Sequence, residues 1–146
     1  MTREQWEKVQ HDVADAMLAH TRPFVSPLGT STESVVRLVG TGSFVQWGGE
    51  RILLTCEHVA REQPMEYRFN ESEEVFRHTD PWTTDPSPID AAFARIADAA
   101  WQASNHSAVA IPLARFAIAH RIVDRAELLF FRGFAGENAR YAFEVL

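Results

Sequence analysis

The chain has 146 residues, is 46% hydrophobic, and sets 14 basic against 20 acidic side chains for a formal charge of −6; that is enough for one well-buried core and too little for two full-sized domains. The acidic balance, with no basic run anywhere, argues against nucleic acid or an anionic membrane as the main partner. Cys56 is the single cysteine and the first ten residues lack the apolar core of a secretory signal, so a reducing, cytoplasmic setting is expected.

From Thr2 to about His20, Trp6, Val9, Val13 and Met17 recur at helical spacing, with Thr2 as N-cap and Gln5 three residues on. This predicts one amphipathic helix, whose apolar face either packs on the domain or docks a partner. Pro23, Pro27 and Gly29 then break the pattern, so residues 1–30 read as helix and linker.

Six short strands are expected before Ala97, at residues 34–39, 44–47, 51–55, 65–69, 74–77 and 91–96. Gly48-Gly49 gives a tight turn between the second and third. Six strands suffice to close a small antiparallel barrel, here over residues 31–97. Residues 80–88 hold three prolines among Thr, Ser and Asp and read as loop. Residues 98–126 read as connector, with a helical turn available at 98–103. Residues 127–146 return to β character as a hairpin around Gly133 and Gly136. Its strands carry Leu128, Leu129, Phe130, Phe131, Phe143, Val145 and Leu146, and such a pair needs more sheet to join. The aromatic residues Phe130, Phe131 and Phe134 read as buried sheet residues. The longest apolar stretches, 108–113 and 128–131, fall far short of the ~20 residues that span a bilayer.

The chemistry concentrates in two places. Gly40-Thr41-Gly42-Ser43-Phe44 leads through the tight turn to Leu54-Thr55-Cys56-Glu57-His58, a histidine just past a strand's end. Thirty-two residues later, Asp90 opens the apolar strand Ala91-Ala92-Phe93-Ala94-Arg95-Ile96. An imidazole suits reversible proton transfer near neutral pH, and a carboxylate on its other nitrogen fixes the tautomer and stabilises the imidazolium. Asp80 and Asp85 precede no apolar run and read as loop residues.

These stretches resemble the first half of the trypsin-like serine peptidases, whose first barrel carries a Gly-x-Gly-Phe strand, then Leu-Thr-Ala-Ala-His, then Asp-Leu-Ala-Leu-Leu-Arg-Leu. Cys56 and Glu57 are the departures. The resemblance covers about residues 34–136, where Gly133-Phe134-Ala135-Gly136 is similar to the Gly-Tyr-Pro-Gly of the second barrel. It implies an all-β fold: an amino-terminal helix, a six-stranded trypsin-like barrel, and the opening hairpin of an incomplete second barrel. It also implies a serine endopeptidase acting on polypeptide, with His58 as general base and acid, Asp90 orienting it, and no cofactor or metal.

The family's serine sits in a Gly-x-Ser-Gly turn whose amides form the oxyanion hole. Only Ser104 and Ser107 follow Asp90, and neither has a glycine near it. The nucleophile is therefore expected from a second half or a partner protein, joined through residues 127–146 and the helix, and the chain alone is expected to be inactive. The alternative is a peptidase-like barrel without catalysis, acting as an interaction or regulatory module. Cys56 invites a cysteine-hydrolase reading, although a cysteine in an apolar strand is usually an inert small hydrophobe. The remaining histidines, His11, His20, His78, His106 and His120, show no metal-ligand spacing with one another or with Cys56 and read as surface residues.

Overall fold

The computed structural model describes residues 2–31, 36–117, 119, 132 and 133. Helix α1 spans Arg3–Thr21 and starts at the expected capping box. The Thr2 hydroxyl accepts the Gln5 N–H at 3.2 Å, and the Gln5 side chain accepts the Thr2 N–H at 2.9 Å, so two otherwise orphaned donors are satisfied reciprocally. No residue of α1 is buried, and Trp6, Val9, Val13 and Leu18 stand exposed. The helix thus does not lay its apolar face into the core.

A short 3-10 turn, Arg22–Phe24, passes directly into strand β1, Val25–Ser31. This segment was expected as linker, because Pro27 and Gly29 break most strands. The register shift between Leu28 and Gly29 supplies the reason they do not: a bulge is where a strand tolerates a missing donor and a missing side chain. Strand β1 pairs antiparallel with β2, Val36–Trp47. Residues 36–39 and 44–47, expected in separate strands, are one. Gly40 and Gly42 lie inside that strand because neighbours crowd them: a Cβ on Gly40 would meet Val59 Cγ2 at 2.8 Å, and one on Gly42 would meet Leu53 Cδ1 at 2.6 Å.

Gly48 and Gly49, at φ 55° and 90°, turn the chain into β3, Glu50–Thr55. Both central residues have positive φ, as the tightest hairpin turns require. Helix α2, Glu57–Ala60, follows, then β4, Met65–Tyr67, and β5, Phe76–His78. Strand β6, Thr83–Asp85, lies in the stretch expected to be loop, and Asp85 pairs with Ala91. Three residues suffice for an edge strand, and Pro81 and Pro86 flank it without interrupting it. Strand β7, Ala91–Ile96, falls where the sequence puts it. Helix α3, Asp98–Ala103, is the expected helical turn, and β8, Ile111–Pro112, runs parallel to β2 at Val45 and Gln46.

The fold is mostly antiparallel β, with the helix at its amino-terminal end. The sheet runs β5-β4-β1-β2-β3-β7-β6, with β8 off this path on β2. It curls so that its two end strands are consecutive in the chain, joined by residues 79–82. Leu28, Phe44, Leu53, Met65, Tyr67, Phe69, Val59 and Ile96 form the buried cluster. Trp101 of α3 closes over it, edge-on to Phe44 at 5.4 Å and to Phe69 at 5.0 Å between ring centroids. His78 is buried and His106 half-buried, stacked 4.4 Å from Phe69, which corrects their reading as surface residues. Among the described residues no helix is long and apolar enough to cross a membrane. The expected hairpin at 127–146 lies outside the described residues apart from Arg132 and Gly133, as do Phe130, Phe131, Phe134 and His120.

Candidate active site

Sheet register brings the two sequence motifs together. Thr55, the last residue of β3, is paired with Ala92 of β7. His58 stands three residues past the first and Asp90 two before the second, so both emerge at the same end of one strand pair. The Thr55 hydroxyl fixes that end by donating to the Thr41 carbonyl at 2.8 Å. Val59, the residue after His58, is buried against Gly40, which seats α2 on the sheet and sets the direction of the histidine.

The carboxylate is held at both oxygens. Asp90 Oδ2 lies 2.7 Å from His58 Nδ1, and Oδ1 accepts the His58 backbone N–H at 3.1 Å. Asp90 itself has φ 53°, the left-handed region that aspartate and asparagine tolerate best among residues with a side chain. Its pKa is lowered, first by the His58 backbone N–H, then by the His58 ring, with the Glu57 backbone N–H adding to both. Asp90 is therefore ionised at neutral pH and can only accept. Nδ1 must then carry the proton, which leaves the Nε2 lone pair to act as a base. Among the described residues Nε2 has no hydrogen-bond partner, and the His58 side chain is 66% exposed.

Neither downstream serine joins this pair. Ser107 Oγ accepts from Asn70 Nδ2 at 2.6 Å, and Ser104 Oγ is buried with no hydrogen-bond partner among the described residues. Cys56 does join it. As the residue capping α2, it puts its sulfur in a cluster where one ligand atom each from Cys56, His58 and Asp90 lies within 4.8 Å of the others. Partial desolvation of the otherwise exposed Cys56 pushes its thiol pKa up, and the Asp90 charge pushes it further. That direction disfavours the thiolate a cysteine nucleophile needs.

Two features of the site were not legible in the sequence. The Glu57 backbone N–H carries no residue-type signal. The approach of Cys56 to Asp90 depends on the β3–β7 register, although its spacing of two from His58 was visible. Compared with family models, curated proteins and solved structures, the chain matches none of them.

Proposed function

We propose that the chain is the dyad-bearing part of a trypsin-like serine endopeptidase. The observation that carries this reading is the 2.7 Å contact between His58 Nδ1 and an ionised Asp90. In the proposed reaction His58 Nε2 takes the proton of a serine hydroxyl as that oxygen attacks the peptide carbonyl, then returns it to the leaving amine. Asp90 holds the tautomer and stabilises the imidazolium. The serine and the donors that stabilise the oxyanion come from a separate segment.

The curled sheet supports the finer fold assignment. Taking β5 and β6 as two halves of one bent strand, interrupted at residues 79–82, reduces the seven-strand path to six members in a closed ring. That is the strand number of the trypsin-like barrel. A second reading, a peptidase-like interaction module without catalysis, is favoured by the exposed Trp6, Val9, Val13 and Leu18 on α1.

Extending the reading frame past Leu146 and labelling its product with a fluorophosphonate separates the two. The peptidase reading expects a labelled serine outside residues 1–146 and loss of peptide hydrolysis by about 10⁶-fold in His58→Ala. Labelling at Ser104 or Ser107, or a product that neither labels nor hydrolyses peptides, contradicts it.

A further inference from the structure

We infer that Cys56, His58 and Asp90 form a binding site for a zinc-type divalent cation, whose occupancy is exclusive with the His58–Asp90 hydrogen bond. The inference rests on the placement of the ligand atoms and holds whether or not the chain is a peptidase.

The three side chains offer a sulfur, an imidazole nitrogen and a carboxylate oxygen, all within 4.8 Å of one another. In a tetrahedral zinc site, bonds of about 2.0–2.3 Å set neighbouring ligand atoms roughly 3.3–3.8 Å apart. The cluster brackets that spacing: its widest separations must close by about an ångström, and the 2.7 Å His58–Asp90 contact must open by about half as much. Flexible side-chain torsions on a short loop and a capping residue supply such shifts.

The donor chemistry selects the ion. Thiolate with imidazole suits zinc and its neighbours, whereas magnesium and calcium take oxygen ligands almost exclusively. On binding, the Cys56 S–H gives its proton to solvent, the His58 ring moves its proton from Nδ1 to Nε2 through water so that Nδ1 presents a lone pair, and Asp90 contributes its existing charge. Thiolate and carboxylate together neutralise the dication, and the fourth position stays with water, as in sites with three protein ligands. The second shell is already in place, because the His58 backbone N–H holds Asp90 Oδ1 and leaves Oδ2 facing the ring. Access is open: Cys56 is exposed, and the His58 and Asp90 side chains are 66% and 39% exposed.

The consequence is a switch. With the cation bound, the imidazole nitrogen and the carboxylate oxygen are metal ligands, and the ring no longer donates its orienting hydrogen bond to Asp90. A histidine so engaged cannot shuttle protons.

The test uses Zn²⁺ alone on the 146-residue chain. Calorimetric titration is expected to give one equivalent bound, with affinity falling about tenfold or more in each of Cys56→Ser, His58→Ala and Asp90→Asn. Because Cys56 is the single cysteine, iodoacetamide reports on the site without any substitution. Zn²⁺ is expected to slow alkylation about tenfold or more, and a chelator to restore it. Binding that survives any one of the three substitutions undiminished, or alkylation indifferent to Zn²⁺, overturns the site. Circular dichroism of the variants shows whether each still folds, and the alkylation result decides for the unmodified chain. Neither readout involves peptide hydrolysis, so failure here leaves the peptidase reading standing, and the converse holds.

Discussion

At the scale of single residues, Asp90 carries most of the account. The backbone amide and the imidazole of His58 converge on a carboxylate whose own backbone sits at φ 53°. Since its folded pKa lies below the ordinary 3.8, the stabilisation it gives is present above that value and is lost as pH falls through the lowered folded value. Asp90→Asn keeps the tolerance for positive φ and removes the charge. The gap in unfolding free energy between the native chain and this variant should therefore hold at pH 6 and shrink as the pH is taken below 3.8, read by urea denaturation across that range. A gap independent of pH would show that ionisation of Asp90 does not stabilise the fold. Were the peptidase reading correct, the same substitution would lower kcat by about 10⁴-fold by releasing the wrong tautomer. The residues of this pair were legible in the sequence because strand ends leave a local mark: an apolar run stops at Thr55 and another starts at Ala91. The third neighbour, Cys56, was named but placed in an inert strand, since nothing local tells that the chain leaves β3 at Thr55 and makes Cys56 a helix cap.

The element that sets the site is α2, four residues long and held by contact rather than by length. An isolated helix of that size has no stability of its own. Its anchor is Val59, packed where Gly40 has no side chain. A methyl group there would lie 2.8 Å from Val59 Cγ2, so Gly40→Ala should destabilise the protein by about 1–3 kcal/mol, seen as a lower urea midpoint at unchanged slope. An unaltered midpoint would mean that α2 is not seated by this contact. The same glycines explain why the strands were hard to delimit. Gly40 and Gly42 read as the gap between two strands, while close approach of Val59 and Leu53 makes them part of one. Likewise Pro27 and Gly29 read as a linker, and the bulge that accommodates them arises only in pairing with β2. The Gly48-Gly49 turn was legible, because positive φ at two successive positions is written in the residues themselves.

At the scale of the molecule, the core is assembled from segments far apart in the chain. Phe44 is fully buried, and its ring meets Phe69 at 5.3 Å and Trp101 at 5.4 Å. Phe44→Ala should cost about 3–5 kcal/mol, measurable by thermal or chemical unfolding; a loss under 1 kcal/mol would mean that the aromatic cluster is not what binds the connector to the sheet. Sequence pattern could assign barrel-like β structure from short alternating strands, and it located the amino-terminal helix by its capping box. It could not foresee that residues 83–85 form a strand, because three residues carry no periodicity, nor that His78 and His106 turn inward to pack on Trp82 and Phe69. Those outcomes follow from which surfaces meet, and that is decided by the whole sheet.

The most direct measurement is nitrogen NMR of the His58 ring, whose two nitrogens report which one bears the proton. The account predicts the neutral tautomer protonated on Nδ1 in the native chain and a shift toward Nε2 protonation in Asp90→Asn. Protonation on Nε2 in the native chain, or a tautomer unchanged by the substitution, would contradict it.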